Sequence, residues 1–172
     1  MKKIIYILLL IISMGTMYYF SSQEGAISKN QSNAVVQLVD EIREKVTLKD
    51  ERLIKINEAV MGELKKYKKS VVVRKAAHFF MYALIGGIAM VTIYLFSKHI
   101  FLSACLSFTF AVLFAVFDER SQMAVAGRSG NLTDVFIDAS GALLAISILS
   151  ILFTVTKGVK WIFRRKYTDI NE

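Results

Sequence analysis

Long apolar stretches alternate with short charged ones along this chain. Four of the apolar stretches, Ile4 to Phe20, Ala76 to Phe96, Ile100 to Phe117 and Leu132 to Thr156, run for about 17 to 25 residues each. At 1.5 Å per residue even the shortest reaches roughly 26 Å as a helix, which spans a bilayer with little tilt or slight thinning. The pattern predicts an all-α polytopic membrane protein with four transmembrane helices at about 4–20, 76–96, 100–117 and 132–156, and no proline interrupts any of them. The first stretch, preceded by Lys2 and Lys3, has the form of a signal sequence. Tyr18-Tyr19-Phe20-Ser21-Ser22-Gln23 after it has no small-x-small cleavage pattern, so it reads as an uncleaved anchor.

A different periodicity fills the loop from Glu24 to Val73. Val35, Val36, Leu38, Val39, Ile42 and Val46 recur among charged residues at helical spacing, and Leu53, Ile54, Ile56, Val60, Met61 and Leu64 resume the pattern. Two extramembrane amphipathic helices are predicted, separated near Thr47 to Asp50, where Thr47 and Asp50 are suitable caps. They either lie on the membrane and shield the bundle or form a lid over a site within it.

Composition agrees with that outline. The chain has 172 residues, 55% of them hydrophobic, and a mean hydropathy of +0.48, which excludes an ordinary soluble domain and makes residues 1–172 a single membrane domain. The net charge of +8 gathers in clusters at the ends of the apolar runs, so anionic lipid headgroups are the expected partners and nucleic acid is not. Lys2 and Lys3 before the first span, with Lys157, Lys160, Arg164, Arg165 and Lys166 after the last, place both termini in the cytoplasm. Lys65-Lys66-Tyr67-Lys68-Lys69 in the long loop pulls towards the opposite topology. Cys105 is the single cysteine, so no intramolecular disulfide exists.

The chemistry lies where ionisable residues meet the spans. Asp118 to Gly141 carries four carboxylates and two arginines between two apolar runs, and each charge near the hydrocarbon requires a partner or a watery cavity. Four spans bring the end of the first, the start of the second, the end of the third and the start of the fourth to one membrane face. Those positions hold Ser21-Ser22-Gln23, Arg74-Lys75 with His78, Asp118-Glu119 with Gln122, and Asp134 with Asp138. Lys75, His78 and Tyr82 share one helical stripe, as do Asp134 and Asp138, and Gly141 and Ala145 extend the second stripe with small side chains that admit a neighbouring helix. Asn131 or Ser129 can cap the fourth helix, and Asn131-Leu132-Thr133-Asp134 resembles a capping box, which makes capping the simplest role for Asp134; Asp138, one turn deeper, is poorly explained that way.

Lys75, His78-Phe79 and Tyr82, then Asp118, Glu119 and Gln122, then Gly127-Arg128-Ser129-Gly130, Asp134-Val135 and Asp138-x-x-Gly141 follow one another in an order and spacing that resemble the VanZ-like family of bacterial membrane proteins. Ser21-Ser22-Gln23 is similar to the family pattern as well, while Ala126 stands where a proline is often found. The resemblance implies a role in the cell envelope at the bacterial plasma membrane and, for some members, reduced susceptibility to teicoplanin-type lipoglycopeptides, a form of antibiotic resistance. It covers most of the chain outside the long loop.

The candidate acid–base residues are His78, Asp118, Glu119 and Asp138, and the candidate binding residues are Lys75, Tyr82, Gln122, Arg128, Ser129, Asp134, Ser22 and Gln23. Two function classes use them. In one, the groups bind or translocate a lipid-linked cell-envelope precursor or an anionic glycolipid, or fix the helices as a salt-bridge network. In the other, a membrane-embedded hydrolase or transferase uses His78 as general acid or base, with Asp118 or Glu119 orienting or replacing it, while Arg128 and Lys75 hold a phosphate. No serine or cysteine nucleophile motif is legible. The sequence requires no cofactor: one site histidine argues against a dedicated zinc site, whereas the carboxylates are compatible with magnesium or calcium.

Overall fold

The computed structural model of the protein describes residues 1–45, 68–128 and 130–168. Among these, the regular structure is entirely helical: α1 (Lys2–Ser21), α2 (Gly25–Lys45), α3 (Lys69–Ser97), α4 (Ile100–Met123) and α5 (Leu132–Thr168). Four of them, all but α2, are long and apolar enough to cross a membrane, as the hydrophobic pattern predicts. The first predicted amphipathic helix corresponds to part of α2. The second, with the break and caps at Thr47 and Asp50, lies outside the described residues.

Two boundaries extend past the apolar runs. Helix α3 begins at Lys69, ahead of the expected Ala76, and α4 continues to Met123 instead of stopping at Phe117. Apolar content marks where a helix contacts lipid, whereas backbone hydrogen bonding continues as long as the following residues accept it. In α4 those residues are Asp118, Glu119 and Gln122, all buried and all partnered by neighbouring elements.

At the far end, α3 and α4 are joined by a tight turn that Lys98 closes at φ 58°, its N–H bonding to the Tyr94 carbonyl at 3.1 Å. So short a connection makes α3 and α4 antiparallel neighbours. Helix α5 then runs parallel to α3 along its length, and the same offset of 59 residues recurs at both ends: Lys75 bonds to Asp134 at one and Lys157 to the carbonyl of Lys98 at the other. Between them Tyr94 stacks on Phe153 at 4.6 Å.

Small residues make this contact close. A side chain at Gly141 would collide with the backbone of Phe79, and one at Gly86 would meet Ala142 at 2.9 Å. Without a hydrophobic drive between helices in lipid, such approach of backbones supplies the packing energy. Two apolar cores result, Met17, Tyr82, Ile85 and Ala115 near one end and Met90, Ala111, Ala142 and Ile146 near the other. Bulky side chains point outward instead: Phe101 is 82% exposed and Phe136 74%. This apolar exterior around a partly polar interior fits a protein whose solvent is lipid.

Helix α2 packs on α3 through the stripe carrying Ser28 and Ser32, which are buried, while Val35, Leu38, Val39 and Ile42 are exposed. Its start is tied to the α4–α5 turn, where Gly25 N–H donates to the Ala126 carbonyl at 3.1 Å and the backbone of Gly127 leaves no room for a side chain at Gly25.

Candidate functional site

The polar ends of α1, α3, α4 and α5 converge on one cluster. Asp118, fully buried, accepts hydrogen bonds at Oδ2 from Ser21 Oγ at 2.8 Å and Gln122 Nε2 at 3.0 Å. Gln122 sits one turn beyond Asp118, so continuation of α4 past the apolar run is what brings the two together. Arg128, in the turn after α4, donates from Nη1 to Gln122 Oε1 and from Nη2 to the Phe20 carbonyl, both at 3.0 Å. Burial and the neighbouring Arg74 push its guanidinium below its ordinary range, against the pull of Asp118 and Glu119. Glu119 accepts the backbone N–H of Asn131 at 2.5 Å and thereby fixes the start of α5.

Across this network stand the stripes of α3 and α5. His78 Nδ1 lies 3.6 Å from Asp138 Oδ2, and Asp138 is 1% exposed. Tyr82, fully buried, turns its hydroxyl toward the same group of acids, Asp118 foremost. One turn nearer the helix starts, Lys75 Nζ donates to Asp134 Oδ1 at 2.5 Å. Asn131 caps α5 as the sequence allows, its Oδ1 accepting the Thr133 N–H at 3.0 Å, while the Asp134 carboxylate, expected in the capping box, reaches across to α3 instead.

His78, Asp118 and Asp138 each offer a donor atom within 4.8 Å of the others. Glu119, Gln122, Tyr82 and Arg128 surround them, and Lys75 with Asp134 forms the outer edge. Ser22 departs from expectation: it is exposed and its hydroxyl returns to the Tyr19 carbonyl, while Ser21, one residue earlier and one helical step round, enters the cluster. Gln23 is half-buried, and Ser129 lies outside the described residues. Arg74, which the sequence reading leaves outside the site residues, lines the cavities around His78; its spacing of four from His78 is the signal that identifies it.

Two cavities are lined by His78. One, of about 10 Å³, is bounded by Arg74, Lys75, His78, Gln122, Asp134 and Asp138, and it has room for a single water or ion. The other, of about 270 Å³, lies between α1, α2 and α3. Met17, Phe20, Val73 and Met81 give it apolar walls, and Arg74, His78 and Arg128 supply positive or protonatable groups.

Chemically, the cluster combines proton-transfer groups, a guanidinium outside the spans and acceptors that lack donors. His78 Nδ1, Tyr82 Oη, Asp118 Oδ1, Glu119 Oε2, Arg128 Nε and Asp138 Oδ1 are buried without a hydrogen-bond partner. No curated protein and no solved structure shows significant similarity to the chain. A family model described as VanZ/LLP1 matches residues 4–153, a span that takes in the whole polar cluster and most of every apolar helix, so this helical membrane protein belongs to the VanZ/LLP1 family.

Proposed function

We propose that this protein binds the anionic headgroup of a lipid-linked or otherwise amphiphilic envelope component, with the headgroup at the polar cluster and the apolar part along the α1–α2–α3 cavity. The observation that carries this reading is the composition of the 270 Å³ cavity, apolar along Met17, Phe20, Val73 and Met81 and cationic at Arg74 and Arg128. An anionic amphiphile matches both parts, because guanidinium groups hold phosphate or carboxylate oxygens through charge-assisted hydrogen bonds while apolar walls accept an acyl or prenyl chain. Reduced susceptibility to teicoplanin-type lipoglycopeptides follows in this reading from the altered handling of such a component. The cluster faces away from the cytoplasm and both termini face into it, as the terminal basic residues favour.

The His78–Asp138 pair supports a second reading, acid–base turnover of the same lipid-linked substrate, since a carboxylate beside an imidazole orients it for proton transfer.

Native mass spectrometry of the detergent-solubilised protein with phosphatidylglycerol and phosphatidylcholine tests binding. Preferential retention of phosphatidylglycerol, weakened about 10- to 100-fold by the double variant Arg74→Ala/Arg128→Ala, is expected from the loss of two charged hydrogen-bond donors. Equal retention of both lipids, or no effect of the double variant, contradicts it. Turnover of a lipid-linked phosphate by the purified protein, abolished by His78→Ala, would establish the second reading. For orientation, a cysteine at Glu24 labels with a membrane-impermeant reagent on intact cells and one at Thr168 does not, both in a Cys105→Ala background; the reverse pattern inverts the topology.

A further inference from the structure

We infer that His78, Asp118 and Asp138 form a binding site for one divalent transition-metal ion, with Mn2+ the best-matched ion and Zn2+ the next. The inference rests on donors inside the bundle and stands whether or not the neighbouring cavity holds a headgroup.

Geometry comes first. An ion bound to nitrogen and oxygen at about 2.0–2.2 Å holds adjacent donors about 3.0–3.5 Å apart. His78 Nδ1 and Asp138 Oδ2 are already 3.6 Å apart, and the full set lies within 4.8 Å, so small side-chain rotations complete the site. The three residues come from α3, α4 and α5, and Gly86 and Gly141 hold α3 close against α5.

Unsatisfied valence is the second, independent observation. Asp118 Oδ1, Asp138 Oδ1 and the Nδ1 of His78 are all buried without a hydrogen-bond partner, and Asp118 and Asp138 are 0% and 1% exposed. Buried polar groups are normally partnered, and buried carboxylates especially so. Of the cations nearby, Lys75 is paired with Asp134 and Arg128 donates to Gln122 and the Phe20 carbonyl, while Arg74 lines the small cavity beside His78 and Asp138. Two carboxylates and an imidazole are a donor set that a divalent ion accepts.

Donor chemistry selects the ion. An imidazole nitrogen disfavours Mg2+ and Ca2+, which prefer oxygen throughout, while the excess of carboxylate over nitrogen favours Mn2+ over the nitrogen- and sulfur-rich sites of structural zinc. The 10 Å³ cavity bordered by His78, Gln122 and Asp138 has room for a water on the open side of the ion.

The test uses the full chain in detergent with any affinity tag removed, stripped with EDTA, reloaded with MnCl2, ZnCl2 or MgCl2 and desalted. Elemental analysis should find about one Mn2+ or Zn2+ retained per chain and no retained Mg2+. Asp118→Asn, Asp138→Asn and His78→Ala should each weaken Mn2+ binding by at least about 10- to 100-fold, and Asp40→Asn, in a surface ion pair, should not. Because a cluster variant can fail to fold, the unmodified protein carries a further readout: electron spin-echo spectroscopy of bound Mn2+ should show coupling to the histidine nitrogen. Retention below about one tenth of an ion per chain by folded protein overturns the inference. So does bound Mn2+ without nitrogen coupling, equal retention by well-folded cluster variants, or retention of Mg2+ alone.

Discussion

The bundle around Met90 and the bundle around Asp118 are built from the same helices, yet they treat buried polarity in opposite ways. In the far half the buried polar side chains are small hydroxyls. Thr92, Ser103 and Ser107 each donate to a carbonyl four residues back, Ile88, His99 and Ser103 respectively, so each is satisfied within its own chain segment. The near half has buried hydroxyls too, Ser21, Ser28 and Ser32, but adds acids, an amide and an imidazole that meet groups from other helices, and several of their atoms have no partner. Helix contact in lipid therefore does not require charge here: small residues and self-satisfied hydroxyls suffice over half the length. The acids at the other end are an addition, and costly buried charges that packing does not need are characteristic of functional sites.

The largest effect expected falls on the seam that both halves share. Gly141→Val drives a side chain into the backbone of Phe79, where no rotamer relieves the overlap, and should destabilise the protein by about 3 kcal/mol or more. Fluorescence-detected size-exclusion after heating would show it as early aggregation. Near-normal thermal behaviour would mean that α3 and α5 separate without harm, and the packing half of the comparison would lose its basis.

Next come the acids. Asp138→Asn keeps volume and leaves a hydrogen-bonding amide beside His78, so a loss of only about 1–2 kcal/mol is expected, together with loss of function per folded molecule. His78→Ala should behave alike. Lipoglycopeptide susceptibility of cells with equal amounts of each variant, set beside thermal aggregation of the purified proteins, separates the two effects. Strong destabilisation with function intact would turn the cluster into a structural network and erase the contrast between the halves.

Ser107→Ala probes the far half and should cost no more than about 1 kcal/mol, because it removes donor and desolvation together while the Ser103 carbonyl keeps its helical bond. Function should be unchanged; a loss comparable with that of Asp138→Asn would extend the site through the whole bundle. Smallest of all is the exposed pair between Asp40 on α2 and Lys69 at the start of α3, where Lys69→Ala should change stability by less than about 0.5 kcal/mol. A larger change in a thermal scan would make α2 part of the folding core.

Much of the site was legible because membrane helices restrict what a charge does. Asp138 stands one turn inside an apolar run, and Lys75, His78 and Tyr82 lie on one stripe, so their inward direction followed from period and polarity alone. Asp134 was less legible. Its capping context was present in the sequence, but the competing partner, Lys75, is 59 residues away, and no local pattern ranks a distant cation against a nearby N–H. Ser21 and Ser22 posed a similar problem. Two adjacent serines differ by about 100° around a helix, and which one meets Asp118 depends on how α1 is rotated against α4.

Four apolar runs, the absence of proline and the even number of spans were enough to determine an all-helical membrane bundle with its unusual polar residues at one end, because hydrocarbon leaves backbone groups no partner but their own helix. Tertiary structure alone decided the close packing of α3 on α5 and its register, the choice of Ser21 over Ser22, the Lys75–Asp134 bond and the meeting of His78, Asp118 and Asp138. Periodicity gives each side chain a direction about its own axis. The rotation and depth of one helix against another are set by where backbones approach closely, as at Gly86 and Gly141, and that contact joins residues that no sequence window contains together.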